Sequence, residues 1–158
     1  MNNALIEKTK ELVERIGLKG EFIIHDESGK TSGEAASALG VPPDKILKTL
    51  IMFAPKERKF IGTLLLGTDR LNINKLTNLM QVRKLQFASP DQIKELTGFI
   101  IGGVPPVAVL SCDDACIDEN VLKKDFVVGA GGDEHCGFKV NPNELVKKLK
   151  LKVASISI

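Results

Sequence analysis

Apolar residues recur at helical spacing from the start of the chain. Leu5, Leu12, Val13 and Ile16 share one face, and Gly17 offers a left-handed stop. A short strand is expected over Glu21–His25, where Phe22, Ile23 and Ile24 are apolar and β-compatible, followed by a Ser-Gly-Lys turn at 28–30. Thr31-Ser32-Gly33-Glu34 has the form of a capping box, opening a helix that Gly40 ends. Pro42-Pro43-Asp44 suits a further helical turn. Lys48–Phe53 and Phe60–Gly67 read as a hairpin pair across a polar Ala-Pro-Lys-Glu-Arg-Lys connection. The continuous run Leu64-Leu65-Leu66 predicts a strand buried on both faces. Asn72–Met80 is expected to be helical and Leu85–Ala88 extended. Ser89-Pro90-Asp91-Gln92 then supplies a cap, a proline at the first helical position and a glutamine at the third, and Gly98 stops that helix.

Farther on, Val107–Leu110, Ala115–Asp118, Phe126–Ala130 and Phe138–Val140 are strand candidates. Asn141-Pro142-Asn143-Glu144 starts a helix, and Leu151–Ile158 reads as a last apolar strand. Hairpins mix with helices in this order, and there is no repeat or linker. The expectation is one α/β domain over residues 1–158, with a mixed, strongly curved sheet surrounded by helices.

Composition narrows the classes. The 158 residues are 43% hydrophobic and 27% charged, which suits one folded core. Seven Phe with no Trp or Tyr leave the core to Leu, Ile, Val and Ala. A formal net charge of +2 does not mark a nucleic-acid binder, so a polyanion would need a local patch. Arg83 and Lys84, or Lys147, Lys148, Lys150 and Lys152, are such patches or else ordinary solvated faces. No segment has the length and apolarity of a membrane span, and the first helix lacks a secretory pattern. Three Cys make no disulfide framework, so cytoplasm is the expected compartment. Cys112-x-x-x-Cys116 and His135-Cys136 match no standard zinc spacing, and neither metal nor cofactor is expected.

No P-loop, dinucleotide fingerprint or nucleophile elbow is present. Three weaker signals remain. Lys48 stands at the mouth of an apolar strand, where a lysine places one compact charge in a pocket or merely faces solvent. Gly102-Gly103, stiffened by Pro105-Pro106, exposes backbone N–H groups able to stabilise an oxyanion; the alternative is a turn that needs glycine for its dihedrals. Gly129-Ala130-Gly131-Gly132-Asp133-Glu134-His135 sets an acid beside an imidazole in a connection that is otherwise a plain glycine-rich hairpin.

In order along the chain, these segments resemble the YbaK/ProX family of trans-editing deacylases. The stretch from Ser32 through Lys48-Thr49-Leu50-Ile51 resembles the family's alanine-rich helix leading into a lysine-bearing strand. Gly98-Phe-Ile-Ile-Gly102-Gly103-Val-Pro105-Pro106 is similar to its substrate loop. Ile117-Asp-Glu-Asn-Val-Leu, Val127-Val-Gly-Ala-Gly-Gly and Val140-Asn-Pro-Asn-Glu-Leu resemble its closing segment, so the match spans roughly residues 20–148.

The resemblance implies a barrel-like mixed sheet and a free-standing hydrolase for mischarged aminoacyl-tRNA, often prolyl tRNA carrying a small amino acid. Prolyl-tRNA synthetase is the implied partner. Lys48, Gly102, Gly103 and His135 are the implied catalytic residues, with Thr49, Ile101, Val104, Pro105 and Asp133 around the substrate. The alanyl-specific branch carries asparagine after the lysine; Thr49 stands there, so that branch is not assigned. Phe99, Ile100, Ile101, Leu50 and Met52 are candidate walls of a small pocket. The rival readings are a non-catalytic module of the same fold that holds tRNA or a synthetase, and, more remotely, a zinc protein.

Overall fold

A computed structural model describes the whole chain, residues 1–158. The three-leucine run lies at its centre. Leu64, Leu65 and Leu66 end β3 (Lys59–Leu66), all buried, as a strand covered on both faces requires. Burying each contributes about 1.5–3 kcal/mol. β3 pairs antiparallel with β2 (Leu47–Ala54) from Leu47↔Leu66 to Ala54↔Lys59, which is the expected hairpin.

The sheet widens on both sides. β4 (Gln86–Phe87) pairs antiparallel with β2, while β5 (Asp114–Asp118) and β8 (Lys152–Ala154) add in parallel beyond β3. The result is a mixed five-stranded sheet of order β4-β2-β3-β5-β8. A second, three-stranded antiparallel sheet is formed by β1 (Gly20–Ile24), β7 (Cys136–Val140) and β6 (Val127–Ala130), in the order β1-β7-β6. An isolated parallel bridge, Ile46↔Val128, joins the two.

The sheets therefore do not close into the expected barrel. A barrel needs an unbroken ladder around its girth, and here the ladder between the sheets is reduced to that bridge. The opening is occupied by a cavity with walls from both sheets.

Caps chosen by sequence hold the helices. α1 (Asn3–Arg15) starts on the Asn2 side chain and buries Ile6, Thr9 and Val13. α2 (Ser32–Leu39) starts on Thr31, whose hydroxyl accepts the N–H of Glu34 at 3.1 Å, and stops at Gly40. α3 (Ile73–Met80) is capped by Asn72. α4 (Pro90–Thr97) carries the full reciprocal box: Gln92 N–H to Ser89 Oγ at 3.1 Å and Ser89 N–H to Gln92 Oε1 at 2.9 Å. α5 (Pro142–Leu149) is capped by Asn141 and covers the main core with Leu145 and Leu149.

Two expected strands differ. Pro106–Ser111 is a 3-10 helix. Pro105-Pro106 removes two backbone donors and fixes φ, and β3, against which the segment packs, already has a strand partner on each side. Val107, Ala108 and Val109 are buried all the same, with Val109 packed on Gly62. At the C-terminus only Lys152–Ala154 pairs with β5. The buried Asp118 carboxylate then accepts the N–H groups of Ile156 and Ser157 at 2.9 and 3.2 Å and draws the chain out of the ladder.

Candidate functional site

A cavity of about 320 Å³ opens between the two sheets. β2 gives it Leu47 to Ile51, β6 gives Val128 to Ala130, β7 gives Cys136 and Gly137, and α2 with its approach gives Gly29 to Ser32 and Ala35. The loop after α4 closes one side with Ile101, Gly102 and Val104. Fourteen of its 26 lining residues are hydrophobic, and eight of the rest carry polar or charged side chains, among them Lys30, Lys48, Asp133 and Glu134, that can orient a ligand.

Six of the nine residues singled out from sequence meet there: Lys48, Thr49, Ile101, Gly102, Val104 and Asp133. Three do not. Gly103 and Pro105 are buried behind the loop, and His135 stands off the wall. Of the candidate pocket walls, Leu50 and Ile101 face the cavity. Met52 and Phe99 are almost completely buried in the core, Met52 within the apolar cluster around Leu76. Ile100 instead edges a smaller neighbouring hollow beside the start of α1.

Lys48 is half-buried near the start of β2, and its Nζ donates to the backbone carbonyl of Asp69. Burial strips water from the ammonium and pulls its pKa below the usual lysine value; the Asp69 charge opposes this and the Arg70 charge adds to it. Asp69 lies between β3 and α3 and escaped the sequence reading, because nothing local marks a carbonyl that will meet a lysine 21 positions away.

The loop Phe99–Pro105 is a turn closed by the Gly103 N–H donating to the Ile100 carbonyl at 3.0 Å. Gly102 adopts φ +98°, a conformation that favours glycine. The consequence corrects the sequence reading: the Gly103 amide is spent inside the turn. The amides of Gly102 and Val104 have no acceptor in the protein, and both residues line the cavity. Gly103 serves packing instead, since a Cβ there would lie 2.7 Å from Asp133 Cα.

Asp133 anchors the facing loop. Its Oδ2 accepts the Asn2 N–H at 2.9 Å and its Oδ1 accepts the His135 N–H at 2.9 Å. Burial works to raise its pKa, but these two donors and the nearby positive groups outweigh it and hold the carboxyl below its usual value. His135 Nε2 lies 3.7 Å from Glu134 Oε1. The imidazole that does line the cavity is His25, 6.3 Å from the His135 ring. Its Nδ1 is 2.6 Å from the Glu27 carbonyl, which can only accept, so Nδ1 is the donor there, and in the neutral ring Nε2 is then an acceptor. The sequence reading passed over His25 as the end of a strand, although its residue type was the available signal.

The cysteines offer no thiolate. Burial raises Cys112 and Cys116 to about 12 and Cys136, the one on the cavity wall, to about 11. No group of three or more His, Cys, Asp or Glu side chains is arranged to hold a metal ion.

What the fold and site define is an α/β domain with a small apolar cavity, one partly desolvated lysine and unpaired loop amides. The chain belongs to the aminoacyl-tRNA editing domain family, whose model matches residues 26–148. It is 36% identical over 126 residues to the proline--tRNA ligase of Fervidobacterium nodosum, covering 78% of this chain and 21% of the relative. It is 31% identical over 112 residues to that of Caldicellulosiruptor bescii, covering 71% and 19%. The chain thus spans about a fifth of the length of these synthetases. Among solved structures, it shares 31% identity and a TM-score of 0.86 with a protein proposed as a trans-editing enzyme for prolyl tRNA synthetase, covering 97% of this chain and 96% of that one. A hypothetical protein, APE2540, gives 33% identity and a TM-score of 0.87, with 96% and 99% covered. No helix is long and apolar enough to cross a membrane.

Proposed function

We propose that the chain is an aminoacyl-tRNA deacylase that acts in trans, hydrolysing the ester between a small, wrongly attached amino acid and the terminal ribose of a proline tRNA. The observation that supports this reading is that the half-buried Lys48 lines one cavity of about 320 Å³ together with Gly102 and Val104, whose amides have no acceptor in the protein. A volume near the lower end of ligand sites suits a small side chain with part of the adenosine.

Water attacks the ester carbonyl. The carbonyl oxygen gains negative charge, and the Gly102 and Val104 amides are the donors free to meet it. The tetrahedral intermediate collapses by breaking the bond to the ribose oxygen, which takes up a proton. The products are the free amino acid and a tRNA with its ribose hydroxyl restored. Lys48 supplies the positive charge that the developing anion or the terminal phosphate requires. His25, through Nε2, is the side chain we assign to carry a proton, since it lines the cavity, whereas burial disfavours the thiolate of Cys136.

Discrimination by size is the reason for such an enzyme. A synthetase gains only about 1–3 kcal/mol from one methylene, so a second, smaller sieve is needed. The deciding measurement is a deacylation panel of small, large, aromatic and charged aminoacyl groups on one proline tRNA. Rapid release of alanine-, serine-, cysteine- or threonine-sized groups is expected. Preference for an aromatic or charged group would refute the small pocket, and binding without hydrolysis of any member would favour the non-catalytic module.

A further inference from the structure

Lys48 projects toward the cavity from β2, yet its ammonium is not held by any side chain of the strand's own neighbours. Its acceptor is the backbone carbonyl of Asp69, in the connection between β3 and α3. A carbonyl in a connection fixes a lysine only as well as the connection is itself fixed. We propose that Asp69 is a positioning residue for Lys48, and that Asn120 holds Asp69 in place from the far side.

The hydrogen bonds run in one consistent direction. Asn120 Nδ2 donates to Asp69 Oδ2 at 3.3 Å and to Ser157 Oγ at 3.3 Å. Ser157 Oγ donates to Asp118 Oδ2 at 3.1 Å, and Asp118 is completely buried. Lys123 Nζ donates to Asn120 Oδ1 at 2.9 Å, which fixes the orientation of the amide. Backbone bonds tie the same connection to the C-terminal segment: Ile158 N–H to the Arg70 carbonyl at 2.9 Å and Asn72 N–H to the Ile156 carbonyl at 2.7 Å. Gly67 N–H donates to the Ile46 carbonyl at 2.7 Å, next to the start of β2. The Asp69 carbonyl is thereby braced at both ends of its loop and through its own side chain.

Asp69 acts on Lys48 in two separable ways. Its carbonyl sets where the ammonium sits, and its carboxylate favours the charged form against burial and the Arg70 guanidinium. Asp69 and Arg70 are the charges that act on Lys48, and neither lines the cavity; the ionisable side chains that line it beside Lys48 are His25, Lys30, Asp133 and Glu134. Asp69→Asn keeps an acceptor for Asn120 and removes only the charge. Asn120→Ala keeps the charge and removes the brace.

The primary test needs no substrate. The full chain, with 13C-labelled lysine and the Lys48 signal assigned by its loss in Lys48→Met, is titrated by NMR. In Asp69→Asn the Lys48 titration is expected at lower pH than in the wild type. The kinetic arm rests on the deacylase reading. In steady-state reactions on a hydrolysed mischarged tRNA, folded Asn120→Ala is expected to have about tenfold lower kcat with little change in KM. A Lys48 titration that coincides with wild type in Asp69→Asn, or wild-type turnover in folded Asn120→Ala, would overturn the proposal. If no mischarged tRNA is hydrolysed by the wild type, the deacylase reading fails alone, and the titration still decides the role of Asp69.

Discussion

Gly103→Ala tests whether the Phe99–Pro105 loop and the glycine-rich connection are packed backbone against backbone. A methyl group at this position would fall 2.7 Å from Asp133 Cα, 2.8 Å from Asp133 N and 3.0 Å from Gly132 C. All three are main-chain atoms, so no side-chain rotation relieves the contact. The neighbouring loop is also tied to the start of α1, because Asp133 accepts the Asn2 amide at 2.9 Å. The cost expected of such overpacking is about 1–3 kcal/mol. For a chain of this size that lowers Tm by roughly 2–12 °C. The contrasting variant is Gly33→Ala, at an exposed site in α2 with nothing within 4 Å of the added carbon. There alanine should raise stability by about 0.4–1 kcal/mol, since it reduces the freedom of the unfolded chain. Urea unfolding midpoints and thermal melts on both variants give the measurement. The same separation of the loops should move the Gly102 and Val104 amides and slow deacylation beyond the loss of folded protein. A Gly103→Ala midpoint equal to wild type would show that the contact yields freely, and the argument from fixed loops would be wrong.

Two other outcomes follow from the site. Lys48→Ala removes the one cation on β2 that faces the cavity and should fold normally while losing a hundredfold or more in deacylation, about 2–4 kcal/mol; wild-type rates in a folded variant would end its assignment. His25→Ala should reduce deacylation more than His135→Ala, because His25 lines the cavity and His135 does not; the reverse order in single-turnover rates would return the proton-carrying role to His135.

Much of the scaffold was legible in local sequence, for reasons that are themselves local. Caps need a particular side chain within three residues of a free amide, so Thr31, Asn72, Ser89 and Asn141 mark helix starts without reference to the rest of the fold. The Leu64–Leu66 run marks a strand buried on both faces, since no solvated strand tolerates it. Val107–Leu110 misled because a short apolar run does not say which backbone carries it, and the prolines before it decided for a 3-10 helix.

The site divides in the same way. Sequence alone determined which groups were available: a lysine opening an apolar strand, a glycine-proline loop, and an acid and imidazole after a glycine run. Tertiary structure decided which of them meet. It brought Lys48, Gly102 and Asp133 to one cavity, from positions as far apart as β2 and the β6–β7 connection. It withdrew the Gly103 amide into a turn, set His25 rather than His135 on the wall, and gave Lys48 its acceptor in Asp69. It also left the two sheets unclosed, and the cavity lies in that gap. Side-chain type and short-range periodicity are properties of neighbouring residues, whereas hydrogen-bond partners, burial and the shape of a cavity depend on contacts between segments far apart in the chain.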